Sequence, residues 1–437
     1  MTCVIYWFRN DLRLQDNPAL VLACKTATHL LPVFCHDPQL DEQTPWGFTR
    51  VGAHRRQFLK DTLADLSQQL TALGSGLLEL QGRPQDVLPE LARRFGAQVI
   101  HCETIAAPEE ADAVKALQAE GLQVTSVWQS SMLDPADLPF KPAQLPDVFT
   151  SFRMAVERAD VGTAAAIAVP AKLPPRPEMT PELTAFVASL QTTPAPTLVP
   201  LSLKNSSFPF DKPEFAGGER AAQRHLERYF GANLPHTYKA TRNGLTGTDY
   251  SSKFSPWLAT GAMSARSAYA ALWQFEERAG ASESSYWLWF ELLWRDYFRF
   301  LHLKYGVRLY HARGLTPANH AVPHPSHKAG AFKRWCQGDT GEPLVDAGMR
   351  ELKATGYLSN RLRQLVASYL IHDLDCDWRA GAAWFESQLV DYDVYSNQGN
   401  WLALAGRGTD PRGGRRFNPQ KQTQDHDPKG QYRALWL

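Results

Sequence analysis

Residues 98–128, QVIHCETIAAPEEADAVKALQAEGLQVTSVW, decide the fold class of the first third of the chain. Gln98–Cys102 reads as a short apolar strand, Pro108–Glu120 as an amphipathic helix and Gln123–Trp128 as a second strand. The same alternation precedes it. Val4–Phe8, Leu30–Cys35 and Leu77–Gln81 carry strand patterns, and Arg50–Leu73 and Pro84–Phe95 carry helical ones. Strand–helix alternation predicts an α/β doubly wound parallel sheet with helices on both faces. Ligands of such sheets sit beyond the carboxyl ends of the strands. No G-x-G-x-x-G and no Walker A motif occurs, so a standard dinucleotide or ATP phosphate loop is not expected.

Beyond this unit the composition changes. Residues 134–213 hold 14 of the 30 prolines, which reads as a long connector over the surface with one or two short helices. From about Phe215 the pattern is helical, with stretches at Gly217–Phe230, Ala265–Ala279, Tyr286–Lys304, Ala329–Gln337, Asp346–Thr355, Asn360–Leu374 and Trp378–Leu389. The expected organisation is an α/β domain at 1–132, a connector at 133–213 and an all-helical domain at 214–437. Ten of the 13 Trp fall in that last part, so its core must be large and aromatic.

Composition bounds the function classes. Charged residues are 21% and hydrophobic ones 44%, which excludes global disorder. Formal net charge is +1, from 46 Lys+Arg against 45 Asp+Glu, so a uniformly basic polyanion binder is excluded while a local basic face is not. The six cysteines form no C-x-x-C pair and no zinc spacing. No metal is expected, and a reducing cytoplasm fits. No apolar run is long enough to span a membrane, and no secretory leader is read at the N-terminus.

Four constellations could carry chemistry. In Tyr286–Lys304, Trp287, Phe290, Glu291, Trp294, Phe298 and Leu301 share one helical face. Glu291 therefore lies in an apolar stripe and needs a partner or a proton; Arg295, at i+4, is the candidate partner. The pattern fits either a structural ion pair or a ligand-bonding carboxylate. In YLSNRLRQ (Tyr357–Gln364), Asn360, Arg363 and Gln364 share a face. The acids Asp391 and Asp393, with Asn397 and Trp401, follow in a segment that reads as a loop between helices. Such acids are ordinarily solvated; among Leu, Val, Tyr and Trp they could instead read the edge of a planar heterocycle. Ser251, Ser252 and Ser255 precede Pro256 at a helix start, which suits a phosphate cradle as well as a plain cap. Arg407, Arg412, Arg415, Arg416, Lys421, Lys429 and Arg433 cluster late, and Lys239, Arg242 and Arg361 extend that face. This is either a solvated charge run or a rim around an extruded base.

These strings also carry a resemblance. VIYWFRNDLRLQDNPAL, SSKFSPWLATG, ELLWRDYFRF, YLSNRLRQLVASYLIHDLDCDW and SQLVDYDVYSNQGNW resemble the photolyase/cryptochrome family. YKATRNGLTGTDYSSKFSPW, with Gln364 after N-R-x-R, resembles its DASH-type branch. The resemblance implies FAD in the helical domain. It places Tyr238 and the loop Ser251, Ser252, Lys253, Ser255 at the phosphates, and Arg295, Asn360, Arg363, Asp391 and Asp393 around the rest of the cofactor. Asn397 matches the residue facing flavin N5, and Arg363 is expected to pair with Asp391. Glu291 and Trp294 match lesion contacts; Arg242, Arg361, Gln364, Arg407 and Arg412 are the expected DNA-binding residues.

The implied reaction is light-driven electron transfer from reduced FAD that opens cyclobutane pyrimidine dimers. UV-damaged DNA, mainly single-stranded, is the implied partner, with RNA as a second candidate and a monomer as the default. Trp401 and Trp378 match an electron relay, whose third position falls on Pro325 here, leaving Trp335 or another exposed aromatic to end it. Ala403 stands where the branch usually has an aromatic, which widens the lesion pocket. A folate antenna, methenyltetrahydrofolate, is the optional second chromophore, with Glu103 as its candidate contact. The alternative is a blue-light signalling receptor. Only about twenty residues follow Arg416–Pro419, which argues against the long tail such receptors carry.

Overall fold

β1 (Cys3–Phe8), β2 (His29–His36), β3 (Leu78–Gln81), β4 (Val99–Glu103) and β5 (Gln123–Val127) form one parallel sheet in the order β3-β2-β1-β4-β5. This computed structural model describes residues 2–191, 203–317 and 326–437. The strand order reverses between β1 and β4, the doubly wound arrangement expected. β1 is buried along its whole length because both faces are covered. Its alternation divides the core. Ile5 and Trp7 pack with Leu88, Leu91 and Leu117 of α3 (Pro84–Phe95) and α4 (Pro108–Ala119). Val4, Tyr6 and Phe8 pack with Leu20, Leu63 and Leu66 of α1 (Pro18–Thr26) and α2 (Ala53–Ala72). α1 is absent from the sequence reading; Asn17 caps it by accepting from the Leu20 N–H (3.1 Å).

The Pro-rich connector contains α5 (Phe149–Arg158) and α6 (Pro181–Ser189), but it is not a surface strap. Leu145, Phe149, Phe152, Phe208 and Phe210 are buried in the central cluster. Fully burying such a side chain contributes roughly 1.5–3 kcal/mol, so these rings hold the connector against the helical half.

The helical half comprises α7 (Glu219–Gly231), α8 (Tyr238–Thr241), α9 (Ser255–Thr260), α10 (Ala265–Ala279), α11 (Glu283–Tyr305), α12 (Ala329–Gln337), α13 (Pro343–Thr355), α14 (Asn360–His372), α15 (Trp378–Gln388), α16 (Val394–Leu404), α17 (Pro419–His426) and α18 (Arg433–Trp436). α16 corrects the expected loop after Asp393. Asp393 is its N-cap and accepts from the Ser396 N–H (2.8 Å), so the polar run Ser396–Asn397–Gln398 is helical.

Buried carboxylates weld the halves. Glu219 accepts from the N–H groups of Leu14 and Gln15 (both 2.8 Å). Asp296 accepts from Met132 and Leu133 (3.0 and 2.8 Å), and Asp16 pairs with Arg266 (2.8 Å). Gly261 sits at the same seam with φ +72°. A Cβ there would lie 1.9 Å from the Asn10 carbonyl oxygen, so only glycine lets the two backbones approach. At the carboxyl ends of β1 and β4, where ligands of such sheets usually sit, the Tyr395 hydroxyl of α16 accepts from the Ala106 N–H (2.7 Å). No helix among the described residues is long and apolar enough to cross a membrane.

Candidate functional site

α8, α11, α14 and the turn between α15 and α16 enclose a cleft of about 280 Å³. Tyr238, Ser251, Ser252, Lys253 and Ser255 line it. Asn360, Arg363, Asp391 and Asp393 line it as well, with Glu291, Trp294, Arg295 and Arg242 completing the wall. Helical and loop segments more than a hundred residues apart thus converge on one cleft.

The centre of the cleft is a charge cluster. Arg363 Nη2 (2.8 Å) and the Ser255 hydroxyl (2.7 Å) both donate to Asp391 Oδ2. Arg363 Nε also donates to the Leu358 carbonyl (2.8 Å), which fixes the guanidinium plane. Burial disfavours the Arg363 charge, but Asp391 together with Tyr357 and Tyr250 more than offsets it and the pKa is raised. Asp391 Oδ1 is buried and finds no hydrogen-bond partner among the described residues, an acceptor left for a ligand. Asp393 accepts from Arg299 Nη2 (2.6 Å). Burial alone would raise the Asp393 carboxyl, but Arg299, then Arg295 and the Ser396 N–H, hold it well below the usual carboxylate range. Arg299 escaped the sequence reading although it follows Arg295 by one turn on α11; a cation in so apolar a helix was the available signal.

Lys253 sits in the left-handed region at φ +58° and is 2% exposed. Its Nζ lies 3.2 Å from the Tyr250 ring centroid and has no hydrogen-bond partner. Burial holds its pKa well below the usual lysine range.

Glu291 corrects the expected pairing. Arg295 is spent on the carbonyls of Ser130 and Leu258, and Arg242 of the α8 end donates to Glu291 instead. Trp294 is stacked at 3.6 Å on Phe149, so one of its faces is already covered. Arg361 donates to Gln364 Oε1 and Asn243 Oδ1 (both 3.1 Å) outside the cleft lining. Asn397 does not line the cleft; its Nδ2 donates to the Ala382 carbonyl (3.1 Å), while Ser396 and Asn400 line the wall.

A second cavity, about 100 Å³, adjoins the first through Trp294 and Phe298 and is lined by Ala403, Asp410, Arg412 and Arg415. Arg412 is held by Asp410 (3.0 Å), and Arg407 lies half-buried nearby in the chain, its carbonyl accepting from Leu315. Trp401 is buried against Phe385 and Trp335, at 5.1 and 6.5 Å between ring centroids. Gly381 permits this closeness, since a Cβ there would meet the Trp401 ring at 2.2 Å. Trp378 is buried and donates to the Ala312 carbonyl (3.2 Å). Trp335 is fully buried, which overturns its reading as an exposed terminus. Pro325 lies outside the described residues. Glu103 is 1% exposed at the end of β4, with Oε2 unpartnered; burial, then Asp11, pushes its carboxyl up to about 7. No group of three or more His, Cys, Asp or Glu among the described residues could hold a metal ion.

The cleft thus offers hydroxyl donors, a paired guanidinium, an orphaned carboxylate oxygen and a buried lysine, a donor set that fits a flavin dinucleotide: planar, polar-edged and anionic. The comparisons agree. A family description, "FAD binding domain of DNA photolyase", matches residues 287–437, and "DNA photolyase" matches residues 4–176. The chain is 42% identical to "Cryptochrome DASH" of Synechocystis sp., covering 99% of this chain and 87% of that protein. The chain belongs to the photolyase/cryptochrome family, in its DASH branch. A cryptochrome DASH of Xenopus laevis is likewise 42% identical over 99% of this chain and 82% of its own length. The crystal structure of the Synechocystis sp. cryptochrome superposes with TM-score 0.92 at 40% identity, covering 100% of this chain and 89% of that one. A bacterial class III photolyase from Agrobacterium tumefaciens superposes with TM-score 0.80 at 29% identity, covering 100% of this chain and 86% of that one. FAD is the cofactor of the helical domain.

Proposed function

We propose that this protein is a blue-light-dependent flavoprotein that repairs cyclobutane pyrimidine dimers, mainly in single-stranded or looped DNA. The observation that carries the proposal is one cleft holding both the Arg363–Asp391–Ser255 cluster and Glu291 beside Trp294, with Arg242 at hand. FAD, when bound, supplies the light-absorbing electron donor. Asp391 Oδ1 accepts from the ring edge, and Arg363 holds that carboxylate in place. The hydroxyls of Ser251 and Ser252, with Tyr238, take the phosphates, while the Ser255 hydroxyl is committed to Asp391. Asn397, its Nδ2 engaged by Ala382, keeps Oδ1 as an acceptor. Glu291 bonds the carbonyl edge of an extruded base beside Trp294. Arg361 and Gln364, with Arg407 and Arg412, steer the strand through charge and polar contacts.

Ala403 motivates the single-strand preference. The cavity beside it leaves the extruded dimer without a wall, and flipping from a duplex costs a few kcal/mol that this pocket recovers poorly. In this reading the protein is a cytoplasmic monomer, residues 1–132 form the antenna domain and Trp401 and Trp378 relay electrons. Glu103, buried as it is, meets a folate only through a local opening. Repair of one thymine dimer in matched single-stranded and duplex oligonucleotides, followed chromatographically under blue light, tests the proposal. Repair confined to the single strand is expected; repair of neither refutes it. The relatives carry the name cryptochrome, so a photoreceptor is the second reading, selected by light-dependent partner binding without repair.

A further inference from the structure

Two side chains aimed at a substrate are instead bonded to each other. Arg242 Nη1 donates to Glu291 Oε1, and its guanidinium lies 4.2 Å from the Trp287 ring centroid. Both side chains remain reachable, at 27% and 36% exposure, so an incoming anion can compete for the arginine.

Among the described residues, the cations of the neighbouring segments are otherwise engaged. Arg295, one turn along α11, is bonded to the carbonyls of Ser130 and Leu258. Arg361 of α14 is held by Gln364 and Asn243, and Lys239 of α8 pairs with Glu283. Tyr238, also on α8, is the remaining titratable neighbour; burial and then Glu291 hold its hydroxyl protonated. Burial pulls the Glu291 carboxyl upward, and Arg242 is the one counterweight.

We infer that Arg242 and Glu291 form a latch: a backbone phosphate of the incoming strand draws Arg242 away, and Glu291 then takes a proton from solvent and turns from acceptor into donor. Arginine favours the phosphate because both guanidinium edges can engage it. The neutral acid then offers an O–H to a pyrimidine carbonyl, where a carboxylate would face another acceptor. Phosphate engagement and base recognition are thereby coupled. The inference rests on the nucleic-acid reading of the cleft.

Calorimetric titration of the flavin-loaded protein in two buffers of different ionisation enthalpy tests it. The probe is a single-stranded oligonucleotide bearing one cyclobutane thymine dimer. Wild type should take up close to one proton per strand near neutral pH, with affinity falling about tenfold per pH unit above it. Glu291→Gln should bind without uptake and without that slope. Arg242→Lys, which keeps the charge, should retain the uptake. Arg242→Gln should lose it, because Glu291 is then protonated before the strand arrives. A dimer with a neutral linkage in place of its internal phosphate should bind without uptake. Wild type binding with no uptake, or uptake unchanged in Glu291→Gln, would overturn the latch alone. Failure of wild type to bind the strand would remove the nucleic-acid reading and the latch with it.

Discussion

Asp393→Asn isolates one buried charge beneath the cleft. Asp393 pairs with Arg299 at 2.6 Å, with the two side chains 12% and 3% exposed. Asparagine keeps the N-cap of α16, because its side-chain oxygen still accepts from the Ser396 N–H. What is lost is the charge opposite Arg299, which becomes a buried cation without its counter-ion. Breaking such a pair from one side costs about 3–5 kcal/mol. The sign with pH follows from the depressed Asp393 pKa. The stabilisation is fully present above the unfolded carboxylate value near 4 and is lost as pH falls through the lower folded value. The deficit of the variant should therefore be constant from neutral pH down to about pH 5 and shrink below it. Thermal denaturation followed by tryptophan fluorescence, with flavin release recorded in parallel, measures it; a drop of about 3–5 °C at neutral pH is expected for a chain of this length. A change under about 1 kcal/mol, or a deficit that grows on acidification, would refute the reasoning.

Ser255→Ala removes one of the two donors to Asp391 and should weaken FAD several-fold, about 1 kcal/mol, in fluorescence titration of the apoprotein; unchanged affinity would exclude the cluster from the flavin site. Ala403→Tyr fills the second cavity and should raise affinity for a dimer in duplex DNA more than in a single strand, read as a ratio of dissociation constants by gel shift. Glu351 is buried, accepts from Ser207 (3.1 Å) and Tyr432 (2.5 Å), and is pushed up to about 7 by burial. A raised acid binds its proton more tightly folded than unfolded, so wild type should lose stability relative to Glu351→Gln as pH rises from about 4.5 to 7, measured by urea midpoints.

Much of this was legible before any coordinates. The inner strands β1, β2 and β4 announce themselves because parallel strands covered on both faces are nearly continuous apolar runs, whereas the edge strands β3 and β5 are short and partly polar; Pro84–Phe95, Ala265–Ala279 and Ala329–Gln337 coincide with α3, α10 and α12. The misses have physical causes. The first turns of α16 carry Ser396, Asn397 and Gln398, residues that favour turns until a cap and tertiary packing decide otherwise. The connector looked like surface because proline dominated its reading, while Phe149, Phe152, Phe208 and Phe210 carried its packing. Glu291 needed a partner, but helical spacing offers only neighbours along the same helix; Arg242 comes from a segment 49 residues away. The Arg363–Asp391 pair was expected, yet the third member, Ser255, joins it only through the fold.

The central claim is that light acts through a flavin in this cleft on a strand presented to Glu291 and Trp294. The most direct measurement records flavin absorption of the purified protein and pyrimidine absorption of an added dimer-bearing single strand during the same blue-light exposure. The account predicts that flavin absorption bleaches and pyrimidine absorption recovers in wild type, and that recovery stops in the dark. A bound flavin that bleaches while the dimer stays intact would contradict it.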